Sequence, residues 1–251
     1  MKLRVDFNAD LGEGAGHDDE LLSLVTSASI ATGFHAGDPR SIAESVVAAR
    51  DRGVAVGAHP SFADRENFGR RELQLPAAEV FALVVYQLGA FQAMAAANGV
   101  SARHVKPHGA LYNLAARDPS TADPVARAIA AVDASLILFA PGGSELARAG
   151  DAAGLRVAAE VFADRNYLRD GSLVPRSRDD ALLHDAKEAA ARVVRMLREG
   201  VVRAVDGTDV PVKADTVCVH GDTPDAVDFA RSLRAELHRA GIEVTALSQD
   251  E

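Results

Sequence analysis

The sequence predicts an α/β fold, a modified (β/α) barrel of seven or eight parallel strands, and three observations point there. Short apolar segments alternate with longer helical ones along the whole chain. Each apolar segment runs into a polar, glycine-flanked end. No Pro/Gly/Ser-rich linker, charge block or low-complexity tract divides the 251 residues. They therefore read as one domain, 1–251, of a size usual for a barrel. Repeated strand–helix units imply a parallel sheet with crossover helices. Seven or eight of them favour closure over an open doubly wound sheet.

The strands, in order, are read in LRVDFNADL, SASIATGFH, GVAVGAHPS, RHVKPHGALY, SLILFAPGG, LRVAAEVFADR and DTVCVHGD, with IEVTALS as a last strand near the C-terminus. Helical patterns fill 39–52, 76–98, 121–132, 144–153, 179–200 and 224–240. Asp38-Pro39 and Thr223-Pro224 each offer an N-cap followed by proline at the first helical position. Asn98-Gly99 and Ala240-Gly241 are the matching stops. The stretch 164–180 is the longest loop-like segment and has the length of a lid.

Composition removes several function classes. A net charge of −9 leaves no electrostatic footprint for nucleic acid. Tryptophan is absent and aromatics make up only 5%, so platforms for stacking bases or sugars are scarce. No apolar run reaches the ~20 residues of a membrane span. The start, MKLRVDFNADLGEG, carries acids and no apolar core of a secretory signal. The single cysteine, Cys218, excludes an intrachain disulfide. Cytoplasm is the expected location, with no membrane and no nucleic acid among the partners. Homo-oligomerisation is left open.

In parallel α/β proteins the C-terminal ends of the strands and the loops after them form the site. Here those ends carry Asn8, Asp10 and Glu13, then His35 and Asp38, His59, Lys106 and His108, Glu160, Asp164 and Arg165, and finally His220 and Asp222. Singly, each has an ordinary reading. A histidine after a strand is commonly a structural hydrogen-bonder, and an aspartate before a helix, such as Asp38 or Asp222, is an N-cap. Their recurrence at equivalent ends of separate strands is what points to one pocket. Arg65, Arg70 and Arg71 read either as a solvated face or as binders of carboxylate or phosphate. His17, His104, His184 and His238 read as solvated, and Cys218 as a small buried hydrophobe. No GxxxxGK[ST] loop, strand-linked GxGxxG or GxSxG elbow is present. A nucleotide, if used, must be held some other way or by another chain.

DFNADLGEG (6–14), IATGFHAGDP (30–39), GAHPSFADRENFGRR (57–71), VKPHGALYN (105–113), EVFADRNY (160–167), LVPR (173–176) and CVHGD (218–222) resemble the family of 5-oxoprolinase A subunits, also called LamB/YcsF. The blocks keep the family's order; Thr32 stands where the family often has Cys, and Ala63 where Pro is common. The resemblance implies an enzyme that, with the B and C subunits of 5-oxoprolinase, opens the lactam of 5-oxo-L-proline to L-glutamate while hydrolysing ATP to ADP and phosphate. It also implies a barrel related to carbohydrate deacetylases, some of which bind a divalent metal through Asp and His.

On that reading Asp10 is the first choice for general base or metal ligand. His35, His59 and His220 are candidates for acid–base work or ligation. Lys106 and Arg165 would stabilise phosphate or the substrate carboxylate. His108 and Glu160 would orient these groups or share in proton transfer. Asn8, Glu13, Arg65, Asp164 and Asp222 complete the substrate- and phosphate-binding set. ATP would be handled jointly with the partner subunits. Asp10, His35 and His59 could form a three-ligand open metal site; the alternative is a hydrogen-bonded Asp–His network without an ion. Two other functions fit the residues: a stand-alone metal-dependent amidohydrolase such as a carbohydrate deacetylase, or a non-catalytic subunit that binds 5-oxoproline for its partners.

Overall fold

Seven parallel strands close on themselves in the computed structural model, which describes residues 3–220 and 225–248. Strands β1 (Arg4–Leu11), β2 (Ser27–Ala31), β3 (Ala55–His59), β4 (His104–Val105), β5 (Ile137–Pro141) and β6 (Arg156–Phe162) pair in sequence order. A small antiparallel hairpin, β7 (Val201–Arg203) and β8 (Asp209–Pro211), stands outside the barrel. Strand β9 (Thr216–Val219) then pairs with both β6 and β1 and closes it. The last strand, β10 (Glu243–Val244), meets only Arg4 and Val5 at the start of β1. It extends the sheet beside the N-terminal end of β1 and does not widen the barrel to eight.

The helices are α1 (Asp18–Leu22), α2 (Pro39–Asp51), α3 (Ala77–Ala97), α4 (Gly109–Arg117), α5 (Pro119–Val132), α6 (Glu145–Ala152), α7 (Ala186–Glu199) and α8 (Ala226–Arg239). Asp38 begins α2 as expected, accepting from the backbone N–H groups of Arg40 and Ser41 in a capping box. Helix α3 is long and apolar enough, by length and composition alone, to cross a membrane. Its Val80, Val84, Leu88, Phe91 and Ala95 are nevertheless buried, and it packs along α5 as a core helix does.

Several elements differ from the sequence reading. The fourth strand ends at Val105, because Pro107 has no N–H to continue a ladder; the GALY that looked like strand starts α4. The helix read over 179–200 starts at Ala186, capped by Asp185. The stretch before it is irregular and pinned by isolated bridges Arg165–Leu182 and Tyr167–Leu173. Helix α1 and the β7–β8 hairpin have no counterpart in the sequence reading. The Thr223-Pro224 cap and Asp222 lie outside the described residues.

Side chains alternate between the lumen and the helix layer along each strand. Phe7, Ala9, Leu11, Ile30, Val56, Val105, Leu138 and Val217 belong to the main apolar core. The intervening residues meet across the lumen, and most are polar. Asp6 accepts from Thr26 at 2.8 Å, Ser27 at 2.6 Å and Thr216 at 2.5 Å. Burial pushes its carboxyl above the usual range despite these donors. Ile137, Phe139 and Ala158 form a separate apolar plug. His104, expected to be solvated, is only 1% exposed. It opens β4 on the lumen side, stacked on Phe139 at 4.2 Å and 3.1 Å from Ser29 Oγ.

His104 fits because β3 carries Gly57 opposite it: a Cβ there would overlap the imidazole ring. Gly57→Ala should therefore lower unfolding free energy by about 1–3 kcal/mol, the usual cost of overpacking. Adding His104→Ala should return part of that loss. A denaturant midpoint for Gly57→Ala equal to that of the parent would contradict this packing account.

Candidate active site

One buried cation organises the C-terminal end of the lumen. Lys106 Nζ lies 2.9 Å from Asp10 Oδ1 and 2.9 Å from Glu160 Oε1. It also donates to Asn8 Oδ1 at 3.3 Å and Cys218 Sγ at 3.0 Å. Glu160 accepts in turn from Asn8 Nδ2 at 3.1 Å and from the Tyr112 hydroxyl at 2.7 Å. Burial alone would discharge Lys106, but Asp10 and Glu160 hold its pKa well above the ordinary value. Burial likewise opposes ionisation of Asp10, and His59 and Lys106 overcome it, holding the carboxyl well below its usual range. The group is a fixed salt-bridge cluster in which Lys106 and Asp10 keep their charges at neutral pH.

Beside it stand three imidazoles and a carboxylate. Glu13 Oε1 is 2.9 Å from His35 Nε2, 3.1 Å from His108 Nδ1 and 3.6 Å from His59 Nε2. His35 stacks on His108 at 3.9 Å, and His59 meets His108 edge-on. Burial lowers the pKa of His108, and that of His35 to about 4, so both rings are neutral at pH 7. Burial also works against charge on His59, but Asp10 and Glu13 raise its pKa above the ordinary imidazole value. The loop after β3 packs over this cluster. Phe68 takes a left-handed conformation (φ 55°) and its carbonyl accepts from His108 Nε2 at 2.9 Å. Gly69 follows it at φ 63°, so close to His35 and Ser61 that a side chain has no room.

A third group lies at the rim. Asp164 Oδ2 is 2.8 Å from His220 Nδ1, which fixes the ring's proton there and leaves Nε2 as the nitrogen able to take or give one. Arg165 donates through Nη2 to the Val174 carbonyl at 2.6 Å, while its buried Nε has no hydrogen-bond partner among the described residues. Burial lowers the Arg165 pKa to about 10, which still leaves it cationic at neutral pH.

These groups open onto a cavity of about 760 Å³, lined by Asp10, Glu13, His59, Lys106, His108, Glu160, Arg165 and His220. Asn8, His35 and Asp164 stand behind the wall, each bonded to a residue that lines it. Eleven residues expected from the sequence thus gather at one end of the barrel. Arg65 does not join them. Its guanidinium donates to the carbonyls of Gly33 and Gly37, bracing the loop that carries His35, because the turn Arg65–Asn67 aims it there. Asp222 lies outside the described residues. Tyr112, Thr216, the Cys218 sulfur and the Phe68 carbonyl were not anticipated. Tyr112 was within reach, four residues after His108 on a helix that the sequence reading treated as strand.

Glu13, His35, His59 and His108 each offer a ligand atom within 4.8 Å of the others, and Asp10, Cys218 and His220 form a second such group. The expected metal trio of Asp10, His35 and His59 is therefore divided between two groups, with Lys106 already neutralising Asp10.

The LamB/YcsF family description matches residues 5–251. A Methylococcus capsulatus protein described as the A subunit of 5-oxoprolinase is 54% identical over 252 residues, covering 98% of this chain and 97% of its own. One of the same description from Bacillus licheniformis is 51% identical over 250 residues, covering 98% and 99%. The crystal structure of the lactam utilization protein from Thermus thermophilus has a TM-score of 0.91 at 49% identity, covering 98% of this chain and all of that one. The peptidoglycan deacetylase PdaC from Bacillus subtilis, 13% identical with a TM-score of 0.50 over 99% of this chain and 89% of its own, shares the barrel architecture alone.

The salt-bridge cluster makes a stability prediction. Lys106→Met strands two buried carboxylates and should cost about 3–5 kcal/mol of unfolding free energy. Asp10→Asn and Glu160→Gln added to it should restore a substantial part. A Lys106→Met protein as stable as the parent in urea would show that the lumen is wetter than its geometry implies.

Proposed function

Because the chain belongs to the LamB/YcsF family, we propose that it acts as the A subunit of an ATP-dependent 5-oxoprolinase, opening the lactam of 5-oxo-L-proline to L-glutamate together with B and C subunits. The observation that carries this reading is the rim of the cavity. There a cationic Arg165 with an unpaired Nε stands one residue from Asp164, which holds the proton-transfer ring of His220. An anion-binding group beside an oriented acid–base is what a phosphorylated lactam requires. The relatives' descriptions, as 5-oxoprolinase A subunits and as a lactam utilization protein, support the same reading.

A lactam amide is resonance-stabilised, and transfer of a phosphoryl group from ATP to its carbonyl oxygen makes the ring carbon electrophilic. Water then adds to that carbon, losing its proton to His220 Nε2 while Asp164 stabilises the imidazolium. The carbon–nitrogen bond breaks, and the departing nitrogen takes the proton back. A second water releases phosphate and leaves the glutamate side-chain carboxylate. Arg165 holds the phosphoryl oxygens or the substrate carboxylate. Asp10, preferred as base on sequence grounds, is a weak one once paired with Lys106, since basicity falls with pKa. It serves to position Lys106 at the cavity floor. The partner subunits share the handling of ATP, in keeping with the missing phosphate loop.

A second reading, a stand-alone metal-dependent deacetylase, draws on the Glu13–histidine cluster and the shared barrel. One assay separates the two. Glutamate should appear from 5-oxoproline only with ATP and both partners present, and never with this chain alone. In the complex, His220→Ala should lower kcat about 10²–10⁴-fold, and Asp164→Asn should follow it in the same direction. Acetate release from N-acetylated sugars by the chain alone would replace the lactam reading with the deacetylase one.

A further inference from the structure

We propose that Glu13, His35, His59 and His108 form a binding site for one divalent transition-metal cation of the zinc type. The backbone fixes where the ring protons sit. His59 Nδ1 lies 2.6 Å from the Lys106 carbonyl oxygen, and His108 Nε2 lies 2.9 Å from that of Phe68. A carbonyl only accepts, so those nitrogens carry the hydrogens. The inward nitrogens, His59 Nε2 and His108 Nδ1, face each other at 2.9 Å with room for at most one hydrogen between them. The Glu13 carboxylate adds a third acceptor, 3.1 Å from His108 Nδ1 and 3.6 Å from His59 Nε2. Asp10 Oδ2 adds a fourth, 3.4 Å from His59 Nε2. His35 Nε2 lies 2.9 Å from Glu13, and the buried Nδ1 of the same ring has no hydrogen-bond partner among the described residues. The ring hydrogen is thus not fixed by the backbone and can sit on Nδ1 when Nε2 ligates.

Acceptors crowded in this way need a positive centre among them. A divalent cation meets the need better than a single added proton, which could bridge one pair at a time. The four ligand atoms lie within 4.8 Å of one another. In a tetrahedral zinc shell with bonds of about 2.0–2.1 Å, ligand atoms sit roughly 3.3 Å apart. Ligand histidines characteristically give their second N–H to a backbone carbonyl or carboxylate, as His59 and His108 do here. An imidazole-rich set selects zinc-like ions over magnesium or calcium. The local backbone is committed to the arrangement too. Phe68 occupies the left-handed region, rare for a non-glycine residue, and in doing so turns its carbonyl to His108. Glu13, His59 and His108 line the cavity, so a cation bound there would face a substrate and could polarise a carbonyl or phosphoryl oxygen.

The metal site does not depend on which substrate the cavity takes, and its test does not read activity. The full chain, stripped with chelator and dialysed, is titrated calorimetrically with zinc and, separately, followed by visible absorption on adding cobalt(II). One equivalent of zinc should bind, and cobalt(II) should give the strong absorption of a low-coordinate nitrogen–oxygen site. Glu13→Gln and His108→Ala should each weaken zinc binding at least about tenfold. His238→Ala, on the exposed side of α8, should leave it unchanged. Should His108→Ala fail to fold by circular dichroism, the near-isosteric Glu13→Gln decides alone. The proposal is overturned if no stoichiometric zinc binds, if the folded site variants bind as the parent does, or if His238→Ala removes the binding. A chain that binds no zinc yet supports glutamate release in the complex would overturn the metal site and keep the proposed function, and a chain that binds zinc without supporting release would do the reverse.

Discussion

A single ammonium group, that of Lys106, sits where a barrel of this kind would otherwise need apolar filling. It ties Asp10 and Asn8 on β1, Glu160 on β6 and Cys218 on β9 to the end of its own strand, β4. β4 is a neighbour of none of these three strands in the barrel, so the contacts cross the lumen. Desolvating three charged groups is costly unless each lone pair and proton finds a partner. That requirement explains the supporting cast: Tyr112 on the second oxygen of Glu160, Asn8 between Glu160 and Thr216, and Thr216 passing the chain of hydrogen bonds down to Asp6. From Asp6 to Lys106 these polar groups form one connected chain, with the site as its solvent-facing end.

Two loops finish what the strands begin, and they do so differently. The segment after β3 packs down on the imidazoles, with Gly69 against His35 and the Phe68 carbonyl on His108. The long excursion between β6 and β9 supplies Asp164 and Arg165 and forms the opposite wall of the cavity. A scaffold shared with a peptidoglycan deacetylase can thus carry different chemistry, because the strand ends fix charges while these loops determine what approaches them.

Much of this was legible in the sequence, and what was not has a physical cause. Polar residues at successive strand ends pointed to the candidate site, because the C-terminal ends of the parallel strands all lie at one mouth of the barrel. The interior was harder to see. Asp6, His104 and Thr216 lie on the same faces as the site residues, two or four positions earlier, and Ser27 and Ser29 line the lumen on β2, but polar residues inside an apolar strand carry no signal as clear as those at its end. His104 was the clearest loss: His104-x-Lys106-x-His108 is a period of two that continues across the end of β4. The start of α4 was hidden by GALY, whose residues serve either structure. Arg65 misled because a guanidinium after a site histidine looks the same whether it faces a ligand or braces the next loop.

The alternation of the lumen residues also fixes strand register. In most barrels an apolar residue on either face of a strand can be tolerated, and a slip of one position is opposed only by packing. Here a one-residue slip of β1 would turn Asp6, Asn8 and Asp10 outward among the helices and drive Phe7, Ala9 and Leu11 into a lumen built of charges. The polar residues of the lumen therefore also discriminate against misaligned closure. A change of charge in the lumen would thus act on the register of the barrel as well as on the pocket above it.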